Sequence, residues 1–171
     1  EKGEVNTRLQ ELNVEANEVK SKFMAAHPDL FVTKMFKASD EPTIPEYMTE
    51  DGEPDYQKRL AFLRANYWND IDFSDDRLLR TPIFEQKIKA WMNKYTVQHY
   101  DSAVTSAAVV INNAVAGGHD EVLRYCTITL SNMYGGSKKM CFDKVYVYVL
   151  GEVYMKARAW WVDSTRMTNI T

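Results

Sequence analysis

The sequence predicts an all-α fold, an irregular bundle of antiparallel helical hairpins with about six to eight helices and no sheet. Three observations carry this. Apolar residues recur in steps of three and four through most of the chain. Short Gly-Gly, Pro and Asp punctuation separates these runs, and short connections make consecutive helices antiparallel neighbours. Only "KVYVYVLGEVY" alternates like a strand, and no other segment gives it a partner. No fixed-period motif passes from pair to pair, so a bundle is expected rather than a TPR-like array.

The first segment, Glu4 to Ala26, carries Val5, Leu9, Leu12, Ala16, Val19 and Phe23 on one narrow face of a charged helix. That helix is expected to lie across one side of the body. His27-Pro28 ends it, because the residue before proline is pushed out of helical geometry. Asp29 is then placed to cap "LFVTKMFKA", burying Leu30, Phe31, Met35 and Phe36. From Ser39 to Pro54 three prolines, one glycine and six acidic residues make a loop. Pro54 suits a first helical position, and Tyr56, Leu60, Leu63 and Tyr67 share the next helical face.

The stretch Asn66 to Phe84, "NYWNDIDFSDDRLLRTPIF", has four aromatics, four aspartates and two arginines without a clear period. Its residues suit a packed corner: Phe73 anchors, Ser74 caps, Leu78 and Leu79 pack, and Thr81-Pro82 restarts the chain as a helix. That helix sets Phe84, Ile88, Trp91, Met92 and Tyr95 inward. Asp101 or Ser102 caps the next, with Val104, Ala107, Ala108, Ile111 and Val115 as its stripe and Gly117-Gly118 as its stop. Asp120 opens another, with Val122, Cys126, Leu130 and Met133 inward, and Gly135-Gly136 stops it. Despite its alternation, the Lys144 to Tyr154 run reads as a helix, since Phe142, Tyr146, Val149, Val153 and Ala157 fit helical steps. Asp163 is expected to cap a last short helix.

A chain of 171 residues is most simply one domain, large enough to bury a core without staples. The reading is a single helical domain over 1–171, with 39–54 as an acidic loop and 164–171 starting a linker toward a further C-terminal domain. A net charge of -3 from mixed signs provides no basic field for nucleic acid or an anionic membrane. No apolar run reaches the length of a membrane-spanning helix. The chain opens "EKGEVNTRLQ", with neither initiator Met nor signal peptide, and reads as an excised piece, so the missing targeting segment says nothing about the parent's address.

No reaction chemistry is legible. Cys126 and Cys141 form no CxxC, and two small buried hydrophobes is the simpler reading, although a bridge is sterically possible. Three scattered histidines, His27, His99 and His119, have no metal-ligand spacing and fall near helix ends, where solvation is expected. Asp70, Asp72, Asp75 and Asp76 lack the glycine and closing glutamate of a calcium loop, and capping explains most of them. Ser102, Thr105 and Ser106 have no elbow or base. No catalytic residue, metal or cofactor is expected. Tyr154, Trp160 and Trp161 suit a core or an interface.

The phrase "DFSDDRLLRTPIF", with "HPDLFVTKMFKA", "KKMCFDKVYVYV" and "AWWVD", resembles one family over about Glu4 to Asp163. It is similar to the helical domain of unknown function that precedes the thioredoxin domain in redoxin-like proteins of Gram-negative anaerobic bacteria. The resemblance implies a periplasmic or envelope setting, and as partner a C-terminal thioredoxin-like domain of the same parent chain, with envelope proteins as further candidates. The family's catalytic CxxC has no matching position here, so the chain is expected not to be an enzyme. It is read as an accessory domain that positions or restricts the redox domain or its substrates, or alternatively as a helical peptide- or protein-binding module independent of redox chemistry. Arg77, Arg80 and Trp161 are the candidate docking residues. If the corner is purely structural, both arginines should be buried against Asp70, Asp72, Asp75 or Asp76.

Overall fold

The computed structural model describes residues 2–156 and 158–162. Among these the chain is all-α, with seven α-helices, one 3-10 turn, one π turn and no strand beyond an isolated bridge. Contacts divide it into two compact units, Glu1–Ile71 and Asp72–Thr171.

The first unit opens with α1 (Lys2–Ala26) and α2 (Phe31–Ser39). Phe23 on α1 meets Phe36 on α2 edge-on at 6.1 Å, and Lys20 pairs with Asp40 just beyond α2. Leu30, not Asp29, occupies the N-cap of α2 and supplies no side-chain cap. The entry is fastened instead by the buried Thr33 hydroxyl, which donates to the His27 carbonyl at 2.6 Å. Leu30 is exposed, and α2 buries Thr33 and Ala38 rather than its aromatics. The apolar stripe of α1 is also largely exposed: Val5, Leu9, Leu12 and Val19 all face solvent.

Within the acidic loop the chain makes a small hairpin turn. Met48 and Pro54 form an antiparallel bridge, the Gly52 amide donates to the Thr49 carbonyl at 3.1 Å, and Gly52 sits at φ 78°. This combination, a tight turn followed by a left-handed glycine, closes short hairpins. The next helix, α3 (Tyr56–Asn66), begins two residues later than Pro54. Asp55 caps it, its carboxylate accepting the Lys58 amide at 3.0 Å, and that bond holds the Asp55 carboxyl below its ordinary value. On the face expected for α3, Leu63 and Tyr67 are buried, whereas Tyr56 and Leu60 on its first two turns are exposed.

The second unit holds the larger core. α4 (Pro82–Asn93) buries Phe84, Ile88, Trp91 and Met92, as its spacing requires. Trp91 donates its indole N–H to the Ser106 carbonyl at 2.9 Å, tying α4 to α5 (Tyr100–Gly117). α6 (Asp120–Tyr134) and α7 (Asp143–Val149) both pack against α5 and against each other. The buried stripe of α5 is Ala103, Ser106, Ala107, Val110, Ile111 and Ala114: of the expected residues Ala107 and Ile111 are buried, whereas Val104, Ala108 and Val115 are only half-buried at its edge. Asp101, Thr105 and Asn112 mark its exposed side, and the buried face centres on the small residues opposite them. On α6, Tyr134 rather than Met133 completes the buried stripe. The Lys144–Tyr154 run is helical, as expected: α7 passes into a π turn at Leu150–Tyr154, and Val145, Val149 and Val153 line its buried face. Ala157 and the cap expected at Asp163 lie outside the described residues.

Candidate functional site

The Asp72–Arg80 corner is built by short-range polar bonds around two anchors. Phe73 is buried edge-on against Phe84 at 5.5 Å, and Phe84 meets Tyr125 of α6 at 5.9 Å. Leu78 is fully buried, and Leu79 partly so. Gly117 closes the other side: a Cβ there would sit 2.6 Å from the Phe73 carbonyl oxygen, so only glycine lets the end of α5 approach this backbone. Gly118 follows at φ 69° as the left-handed stop of α5.

Capping at the corner departs from the sequence reading. Asp75, not Ser74, caps the 3-10 turn Asp76–Arg80 by accepting the Arg77 amide at 3.2 Å. The Ser74 hydroxyl donates to Asp72 Oδ1 at 2.5 Å instead. Thr81 stands at the N-cap of α4, yet its hydroxyl donates back to the Leu78 carbonyl at 2.7 Å, closing the 3-10 turn. Both hydroxyls donate to acceptors just behind them in the chain. His99 caps α5 through Nδ1, which accepts from the Asp101 amide, in place of Asp101 or Ser102. His119 stands at the N-cap of α6 with its Nδ1 shielded from solvent rather than solvated.

Both candidate arginines pair within the corner, but neither is buried. Arg77 forks onto Asp75, Nε to Oδ1 at 2.8 Å and Nη2 to Oδ2 at 2.6 Å, and its side chain remains 51% exposed. That fork raises the already high pKa of Arg77, so its guanidinium stays charged. Arg80 reaches Asp76 at 3.7 Å and is 80% exposed. The expected burial fails because the 3-10 turn points every third residue the same way: Leu78 takes the inward position, and 77 and 80 share the outer side.

Trp161 belongs to a different cluster. It meets Tyr154 at 6.1 Å and Trp160 at 6.0 Å, both edge-on. Trp160 is 56% exposed, with the Arg124 guanidinium 5.9 Å from its ring centre and Glu121 pairing Arg124 at 3.5 Å. Beside Trp160 a cleft of about 350 Å³ runs along the α5–α6 junction, with Ala114, Val115 and Leu123 as apolar lining and Arg158 among its polar residues. Arg124 and Arg158 were not singled out from sequence; Trp160 was, with Trp161 and Tyr154, as suited to a core or an interface.

This corner and this aromatic end coincide with the segments on which the resemblance rested. The family model described as a domain of unknown function, DUF5106, matches residues 4–170. The chain belongs to this family. No curated protein and no solved structure matches it. Within this DUF5106 domain Cys126 is buried and Cys141 partly exposed, both as free thiols. Burial pushes the Cys126 thiol far above its ordinary pKa, which leaves it a poor nucleophile. Among the described residues no cluster of His, Cys, Asp and Glu is arranged to hold a metal, and no helix is long and apolar enough to cross a membrane.

Proposed function

We propose that this domain is a non-catalytic accessory domain of a secreted or envelope thioredoxin-like thiol–disulfide protein, positioning or restricting the redox domain or its substrates. The resemblance of the "DFSDDRLLRTPIF" corner and the "AWWVD" end supports the setting. The observation that carries a docking role is Trp160, largely exposed beside Arg124 and Trp161. Exposed tryptophan with arginine is the composition that dominates binding energy at protein interfaces. The partner is the thioredoxin-like domain of the same parent chain, held against this aromatic end.

Isothermal titration of the isolated domain with that thioredoxin-like domain tests the reading. Trp160→Ala should weaken association by roughly tenfold or more at unchanged melting temperature. Equal affinity for the variant and the parent would refute the docking site. An insulin-reduction assay on the domain alone should give no turnover above a cysteine-free control, and clear turnover would refute the non-catalytic reading.

The cleft beside Trp160 favours a second reading, a peptide-binding module independent of redox chemistry. Its volume falls at the low end of the roughly 300–1,000 Å³ of ligand sites, and Arg158 suits a peptide carboxylate. Binding of apolar C-terminal peptides without any binding of the thioredoxin-like domain would select it.

A further inference from the structure

The stripe of α1 keeps one spacing over five successive steps. Val5, Leu9, Leu12, Ala16, Val19 and Phe23 follow one another in steps of 4, 3, 4, 3 and 4 along a 25-residue helix. This is a seven-residue repeat one side chain wide. A straight helix drifts about 20° per heptad against such a repeat, so the stripe stays in contact only with another helix that winds along it. Nevertheless it is open: Val5 is 65%, Leu9 58%, Leu12 46% and Val19 63% exposed. Toward its C-terminal half Val32 and Phe36 of α2 widen it into an apolar groove of about 730 Å³.

Charge at the flanks selects the occupant. Arg8, Glu15 and Lys22 follow one edge of the seam, and Asn6, Asn13 and Lys20 the other. In a parallel pair each residue of the first edge meets the residue five positions further on in the other helix. A second copy of this chain then brings Glu15 to the other copy's Lys20, Arg8 to its Asn13 and Lys22 to its His27, with one attractive pair on each side. An antiparallel copy would instead bring Glu15 against Glu15 and Arg8 against Lys22, all like charges. Lys20 is already held at the edge by Asp40 and over the Phe36 ring at 5.4 Å, and Glu15 lines the same groove.

We propose that α1 pairs in parallel with α1 of a second copy as a short coiled coil seated on this seam. With fewer than three heptads the pair is reversible, and it forms in the micromolar range or above. The surface belongs to the first unit and does not depend on the Trp160 cluster.

Sedimentation equilibrium from low micromolar to several hundred micromolar chain tests it. The expected result is a reversible monomer–dimer equilibrium that Leu9→Glu abolishes, with unchanged helicity by circular dichroism. Glu15→Lys, which leaves the Lys20–Asp40 pair in place, should weaken dimerisation on the order of tenfold, because two attractive contacts become repulsive. Mixing Glu15→Lys with Lys20→Glu should recover most of that affinity as a heterodimer. A monomer across the whole range, or a dimer indifferent to Leu9→Glu, would overturn the proposal. A Glu15→Gln dimer tighter than the parent would overturn the parallel arrangement, since neutralising Glu15 relieves a Glu15–Glu15 contact but removes attraction from a Glu15–Lys20 one.

Discussion

Helices α1 and α6 are both amphipathic, and the structure treats them in opposite ways. On α6 the buried residues come in adjacent couples, Val122-Leu123 and Cys126-Thr127, continued by Leu130 and Tyr134. Such a stripe is broad enough to be packed by several elements at once, and α6 meets α5, α7 and the 3-10 turn. On α1 the seam residues from Val5 to Val19 stand singly, with polar neighbours on either side, and are exposed; Val14 alone lies off that line. The width of an apolar stripe, more than its presence, therefore indicates how many elements cover it. A broad stripe belongs to a core, and a strict one-residue seam matches one partner helix.

The difference should be largest where the broad stripe is cut. Phe84→Ala removes a fully buried ring that joins Phe73 to Tyr125, and should cost about 3–5 kcal/mol in chemical denaturation. A loss below 1 kcal/mol would mean that the second unit is not packed as described. A smaller effect is expected at the α5 stop: Gly117→Ala forces a methyl into the Phe73 backbone and should cost about 1–3 kcal/mol. Neutrality there would show that the corner can move away from α5.

Next come the arginines. Arg77→Ala should lower the melting temperature slightly through loss of its fork on Asp75, and Arg80→Ala should leave it within error, because its Asp76 contact is long and exposed. A larger drop for Arg80 than for Arg77 would contradict the pairing. The smallest change is chemical rather than energetic. In native protein a thiol reagent should label Cys141 readily and Cys126 only on unfolding, since burial keeps the Cys126 thiol protonated. Equal labelling rates would show that the α6 core opens easily.

Much of the fold was legible. Steps of three and four located the helices, and the helical reading of Lys144–Tyr154 followed from a strand having no partner. Apolar period oriented α5 only in part: Ala107 and Ile111 are buried as expected, but the side marked by Asp101, Thr105 and Asn112 turns Ala103, Val110 and Ala114 inward instead of Val104 and Val115. Capping residues were the least legible, because Thr81 and Ser74 satisfied acceptors in the turn behind them instead of amides ahead. The acidic loop hid a hairpin turn whose signal was the Asp51-Gly52 pair. At the candidate site, the local pairing of Arg77 and Arg80 could be read from nearby aspartates, but their exposure could not, since it depends on a 3-10 rather than an α-helical turn. Arg124 joins Trp160 across a long stretch of chain, a proximity that no local pattern encodes.

The comparison between the two stripes is tested most directly by one matched pair of substitutions. Leu130 on α6 is 0% exposed and Leu9 on α1 is 58% exposed, so the same change, Leu to Ala, removes the same atoms from opposite environments. Urea denaturation of dilute protein should show Leu130→Ala losing about 2–5 kcal/mol and Leu9→Ala remaining within about 0.5 kcal/mol of the parent. Comparable losses at the two positions would contradict the account, because they would place the α1 seam in the core of the single chain.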